Sequence, residues 1–221
     1  MWNFCGFANF KERAKKRNFM KKRLVIGISG ATGAVYGIRM LEMLKDSDIE
    51  THLVLSNAAE KIIQLETDYT VDHVKGLAHY NHDIDNVGAA IASGSFDTIG
   101  MVVIPCSIKT LSGIANSFSV NLLIRAADVT LKERRKLVLM VGETPFHKGH
   151  FRLMSQAVDI GAIITLPSVS FYTRPQTIRD IVDQRVARTL DIFDIKLDSF
   201  KRWSQADGDK AMDLLNKERD L

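Results

Sequence analysis

The chain has 221 residues, 46% of them hydrophobic, and a formal net charge of +4 at pH 7, enough for one domain or one and a half with a full apolar core. No apolar run reaches the ~18 residues that span a bilayer. Two cysteines, Cys5 and Cys106, make no disulfide framework, so a reducing cytoplasm is the expected setting. The charge is uneven: residues 1–23 carry eight Lys/Arg against one acid, Glu12, which leaves the remainder mildly acidic and argues against a general nucleic-acid surface.

Residues 1–20 form a basic extension with Trp2, Phe4, Phe7 and Phe10 interspersed. No continuous apolar segment follows, so a secretory signal is not expected. One reading is a basic arm for a membrane or RNA surface. The other takes Met20 as the natural start, leading through Lys21, Lys22 and Arg23 straight into the first strand. The apolar run Leu24–Ile28 predicts a buried strand, Ser29–Gly33 a tight turn of small residues, and Ala34, Ile38 and Leu41 a helix. Strand, glycine turn and helix N-terminus make an anion site, because backbone N–H groups converge there and the helix dipole favours a phosphate. Glycine supplies positive φ and close approach of a ligand to the backbone.

Four more apolar runs follow, at His52–Leu55, Met101–Ile104, Leu137–Val141 and Ala162–Leu166. None alternates cleanly, as expected for strands of a parallel sheet buried on both faces. Helical patterns follow Asn57, Lys109, Asn121, His147 and Pro175. The expected fold class is α/β, a doubly wound parallel sheet in one domain over residues 21–195, with 196–221 as a charged C-terminal tail containing Trp203 and a short helix. Ligands in such sheets sit beyond the C-terminal strand ends. Here those ends are Ser29–Thr32, Ser56, Cys106–Thr110, Gly142–Thr144 and Pro167–Tyr172.

The glycines at 30, 33 and 37 do not follow G-x-G-x-x-G, and the second strand ends at Leu55 and Ser56 without the acid that a dinucleotide ribose needs. This disfavours NAD and leaves a mononucleotide such as FMN open. Ser107 and Thr110 offer hydroxyls at the third strand end, where Ser107 could equally be a helix N-cap. Cys106 is either a nucleophile or small packing. Arg125 and Lys132 share a helix face with Asp128 between them, which suits a solvated charged face as well as a ligand. Glu143 stands where a carboxylate would face a ligand. His147 and His150 invite a metal reading but match no zinc signature, so packing or solvation is the plainer reading. Arg188, seven residues after Ile181, flanks the buried side of its helix and could meet a second anion with Tyr172.

The segments SGATGAVYG, PCSIKTLSGIA, RAADVTLKERRKLVL, ETPFHKGH and FYTRPQT resemble the UbiX-type flavin prenyltransferases in correct order over about residues 21–195. The resemblance implies a Rossmann-like, flavodoxin-related domain. It implies an enzyme that transfers dimethylallyl from dimethylallyl phosphate to N5 and C6 of reduced FMN without metal, and a product that serves a UbiD-type decarboxylase, in many bacteria for ubiquinone biosynthesis. It also implies a homododecamer with each active site at a junction of subunits. Carried over residue by residue, Gly30, Ala31, Thr32, Ser56, Ser107, Ile108, Lys109, Thr110 and Arg125 match FMN contacts. Tyr172 and Arg188 match contacts to the prenyl phosphate, Lys132 a nearby cation, Glu143 the acid in the proton path, and Glu66 a glutamate near the site. Trp203 matches a tryptophan of the tail. One position departs. The family carries Arg directly before the Glu of R-E-T-P, and this chain has Gly142. Losing one charged hydrogen bond costs about 1.5–3 kcal/mol, so weaker ligand binding is expected unless Lys148 or another subunit supplies a cation. Two alternatives follow: an FMN-dependent decarboxylase-like protein, and a flavin-binding protein impaired by Gly142.

Overall fold

The structure, a computed structural model, describes residues 21–197 and 201–219; the basic arm at 1–20 lies outside the described residues. Six parallel strands form one sheet: β1 (Lys22–Ile28), β2 (Ile49–Leu55), β3 (Tyr80–His82), β4 (Gly100–Cys106), β5 (Lys136–Val141) and β6 (Ala162–Thr165). Their order is β3-β2-β1-β4-β5-β6. The chain builds outward from β1 to β3, then crosses back to start again at β4. The switch point therefore lies between β1 and β4, where a doubly wound sheet opens a crevice for a ligand.

β1 shows why both faces are covered. Leu24, Ile26 and Ile28 point into one core with Val102, Ile104, Val138 and Met140. Val25 points into the other with Met101, Val103, Leu137 and Leu139. Period-two alternation thus feeds two apolar layers, and the run reads as continuously hydrophobic. Helices α1 (Ala34–Leu44), α2 (Asn57–Glu66), α3 (Val71–Gly76) and α7 (Ile178–Asp191) cover the first face. Helices α4 (Ile108–Ala115), α5 (Leu122–Lys132) and α6 (Lys148–Asp159) cover the second. The tail carries α8 (Gln205–Arg219).

The α/β class and the five apolar strands hold. β3 and α3 are additions, because a three-residue Tyr-Asn-His strand and a six-residue helix are too short to carry a period. The tail helix, at 15 residues, is longer than the short one expected. No helix among the described residues is long and apolar enough to cross a membrane.

Candidate active site

The C-terminal strand ends are joined into one rim by hydrogen bonds that continue past the sheet, and Ser29 is the junction. Its N–H and hydroxyl both donate to the Pro105 carbonyl, at 3.1 and 3.0 Å, while its Oγ accepts from the Ser107 N–H at 2.8 Å. The Ser56 N–H donates to the Ile28 carbonyl at 3.0 Å and the Gly142 N–H to the Cys106 carbonyl at 3.1 Å. These bonds set the loops after β1, β2, β4 and β5 side by side. Gly30, Ala31, Thr32, Ser56, Ser107, Ile108, Lys109, Thr110 and Glu143 therefore meet at one edge. A Cβ on Gly30 would lie 2.3 Å from the Ala58 Cβ, so only glycine lets the β1 loop lie against the start of α2.

Ser56 and Ser107 act as N-caps. Ser56 Oγ accepts from the Ala59 N–H at 3.1 Å, and Ser107 Oγ accepts from the Thr110 N–H at 3.3 Å. The other first-turn N–H groups of α2 and α4 have no intrahelical partner and open on the rim. The end of α1 differs from expectation. Gly33, at φ 98°, precedes it, and the N–H groups of Gly33 and Ala34 donate to Glu66 Oε2 at 2.8 and 3.3 Å. The helix end that the sequence assigned to a ligand phosphate thus already carries a carboxylate of this chain.

Beside the rim lies a cavity of about 390 Å³, within the range for a small ligand. Thr32 walls it from the β1 loop; Gly142, Glu143, Thr144 and Phe146 from the β5 loop; Leu166, Pro167 and Ser168 from the β6 loop. Glu143 is exposed, and its Oε1 accepts from the Thr144 N–H at 3.0 Å. Tyr172 sits in a short 3₁₀ turn, edge-on to Trp203 with ring centroids 5.3 Å apart. Arg188 is exposed rather than flanking the buried side, and donates to Asp191 at 2.8 Å. Asp191 also accepts from Arg202 at 2.9 Å and Lys196 at 3.3 Å. Burial would raise its carboxyl, but Arg202, Lys196 and Arg188 together hold it below the usual range.

The two matched cations on α5 lie at opposite ends of that helix. Arg125 donates to Asp128 at 3.0 Å on α5. Lys132 ends α5 just before β5 begins, at the N-terminal edge of the sheet, and pairs with Glu133. Cys106 is fully buried, burial pushes its thiol up, and it is packing rather than a nucleophile. His147 caps α6, its Nδ1 accepting from the Gly149 N–H at 3.0 Å. Among the described residues no three His, Cys, Asp or Glu stand together as a metal site. Sequence reasoning placed Ser29 at a strand end without its bonds across the sheet, and passed over Arg185, one of three arginines on its helix.

A Rossmann-like sheet with an anion-ready rim and an adjoining small cavity is the architecture of a nucleotide-binding protein. The flavoprotein family profile matches residues 12–200. A flavin prenyltransferase UbiX of Thauera aromatica is 58% identical over 182 residues, covering 82% of this chain and 94% of its own. The one of Escherichia coli K12 is 57% identical over 188 residues, covering 84% of this chain and 100% of its own. A solved structure of AnUbiX (PadA1) with FMN and dimethylallyl pyrophosphate is 45% identical with a TM-score of 0.83, over 84% of this chain and 98% of that one. A dodecameric FMN-dependent Ubix-like decarboxylase of Escherichia coli O157:H7 gives 44% and 0.80, over 82% and 99%. This chain belongs to the flavoprotein family and, within it, to the UbiX-type flavin prenyltransferases. The peptidyl-cysteine decarboxylase EpiD, at 16% identity and a TM-score of 0.53 over 68% of this chain and 84% of that one, shares the fold alone.

Proposed function

We propose that this chain transfers a dimethylallyl group from dimethylallyl phosphate to N5 and C6 of reduced FMN, releasing phosphate. The observation that carries the reading is the AnUbiX structure with FMN and dimethylallyl pyrophosphate, 45% identical over 84% of this chain. The residues present fit FMN: a rim of hydroxyls and free helix N–H groups suits its phosphate and ribityl chain, and the cavity walled by Phe146, Leu166 and Pro167 suits a flat ring and a short prenyl tail. Reduced FMN, when bound, supplies the electron-rich partner for the allylic carbon.

The chain's residues supply the rest. Gly30, Ala31, Thr32, Ser56, Ser107, Ile108, Lys109 and Thr110 hold the flavin, with Arg125. Tyr172 and Arg188 bind the prenyl phosphate, where fixed donors stabilise charge that grows as phosphate leaves. Lys132 adds a cation from a neighbouring copy. Glu143, at the cavity wall, takes the proton released at flavin C6 and passes it towards phosphate. Glu66 joins this set through the start of α1. No metal is assigned a part. The reading further takes a UbiD-type decarboxylase as recipient, ubiquinone biosynthesis as the setting, a homododecamer as the assembly and the cytoplasm as the location. The decarboxylase-like alternative is not favoured, because the relatives at 58% and 57% identity are flavin prenyltransferases and the cysteine decarboxylase EpiD shares only the fold.

The test is anaerobic incubation with reduced FMN and dimethylallyl phosphate, without metal, followed by mass measurement of the extracted flavin. A gain of one C5H8 unit is expected. Unmodified flavin that stays tightly bound would shift the reading to the impaired flavin-binding protein.

A further inference from the structure

Arg185 lies on α7, half-buried, and has no carboxylate partner among the described residues. Its Nε–H donates to the Ser168 carbonyl at 3.1 Å, and its Nη2 donates to that same carbonyl and to Ser168 Oγ, the latter at 2.7 Å. No described partner occupies Nη1. The phenols of Tyr36 and Tyr172 and the guanidinium of Arg188 lie within electrostatic reach. A half-buried cation without a counter-ion is unfavourable unless something else supplies the charge. A second guanidinium one helical turn away adds repulsion, because Asp191 is committed to Arg188, Arg202 and Lys196. Burial accordingly disfavours the charged form of Arg185.

The position of this cation is informative. Ser168, which Arg185 grips, walls the same cavity as Gly142 and Glu143. Tyr36 packs over Gly33, where a Cβ would lie 3.0 Å from its ring. Arg185 therefore stands between the β1 turn and the β6 loop, behind the cavity wall. At Gly142, where the family resemblance implies Arg, a Cβ would lie 3.0 Å from the Thr32 carbonyl oxygen and 3.1 Å from the Ala31 Cβ. The β1 loop has closed against the space a side chain there would use.

We propose that Arg185, with its free Nη1 edge and with Arg188 and Tyr172, forms a phosphate-monoester site that supplies the guanidinium Gly142 lacks. The inference rests on the proposed prenyl transfer for its leading ligand, the phosphate of dimethylallyl phosphate. The FMN phosphate has the same chemistry and is the second source. A guanidinium anchored by Ser168 through Nε and Nη2 presents its Nη1 protons in a fixed direction, which suits a charged hydrogen bond to phosphate.

The test uses the FMN-loaded full chain as wild type, Arg185→Gln and Arg185→Lys. Inorganic phosphate affinity is measured by calorimetry, KM for dimethylallyl phosphate by turnover, FMN affinity by fluorescence quenching, and Tm for each variant. Arg185→Gln is expected to weaken inorganic phosphate and raise KM for dimethylallyl phosphate by roughly ten- to a hundred-fold, the value of one charged hydrogen bond, with FMN affinity and Tm held. Arg185→Lys is expected to recover part of the loss. If FMN affinity falls and KM does not, the site is upheld with FMN as its source. If phosphate affinity falls in Arg185→Gln although wild type forms no prenylated flavin, this site stands and the prenyl-transfer reading fails. Phosphate affinity, KM and FMN affinity all unchanged overturn the site. A lower Tm with both ligands weakened by the same factor also overturns it, since a clamp on the β6 loop would act that way.

Discussion

At the scale of single residues, the least expected finding concerns Glu66. Resemblance placed it near the chemistry, and the structure gives it a second task, since its carboxylate accepts the Gly33 and Ala34 N–H groups at the start of α1. A carboxylate there satisfies two orphan donors and complements the helix dipole. Glu66→Ala is expected to lower stability by about 1 kcal/mol, the usual value of a lost cap, which is a fall in Tm of about 2–4 °C for a domain of this size. Glu66→Gln, which keeps an acceptor oxygen, should lose less. A Tm untouched by Glu66→Ala would leave Glu66 with only a ligand-facing part. Ser56 and Ser107 show how far single residues were legible. Their positions at strand ends could be read from sequence, and so could a capping role for Ser107. The bonds from Ser29 to Pro105 and Ser107 could not, because 76 and 78 residues separate the partners.

At the scale of elements, apolar runs revealed the five longer strands, four of them because both faces are covered and β6 through its own apolar residues although Ile163 is exposed at the sheet edge. β3 escaped because it lies at the sheet edge and uses Tyr80, Asn81 and His82, which have no apolar run to show. What holds β3 is a polar network. His52 on β2 is nearly buried, with Nδ1 3.0 Å from His82 Nε2 and Nε2 3.1 Å from Glu50 Oε1. Glu50 in turn accepts from Arg23 on β1 at 2.8 Å. Burial lowers both histidines, opposed at His52 by Glu50 and reinforced at His82 by the charge of His52. Burial would raise Glu50, but Arg23 and His52 hold it low. All three groups bind protons more weakly folded than unfolded. The unfolded chain therefore takes up more protons as pH falls, and stability is lost on acidification. For the histidines the contribution is full above their ordinary pKa of about 6.5 and declines as pH drops through that value towards the folded ones. Denaturant titrations from pH 7.5 to 5 should show stability falling. His82→Gln should flatten the dependence by up to about 1.4 kcal/mol per pH unit, the value of one proton. An unchanged slope in His82→Gln would place the acid sensitivity elsewhere.

At the scale of the whole molecule, Glu143 and Lys132, both proposed site residues, lie at opposite edges of the sheet in one protomer. Glu143 and the cavity lie at the C-terminal edge of the sheet. Lys132 lies at the other, beyond the eleven residues of α5, a helix about 16 Å long at 1.5 Å per residue. No sequence pattern could reveal this separation, since a matched motif shows that a residue type is present and not which copy's site it enters. The surface also exposes Leu65, Phe118, Phe171 and Ile178, each two-thirds or more accessible. Large apolar side chains exposed in this way suit a face that another copy covers. If Lys132 serves a neighbour's cavity, Lys132→Ala and Glu143→Gln proteins should each be nearly inactive alone and should complement when mixed. In assemblies formed at random from equal amounts, about one quarter of sites would take intact Lys132 from one subunit and intact Glu143 from another. If both residues served one protomer's site, every chain in the mixture would lack one of them and no activity would return. Recovery of prenylated flavin near a quarter of the wild-type rate, measured after co-refolding, would therefore place the catalytic unit at the contact between copies and explain why α5 can carry a functional lysine so far from the rim.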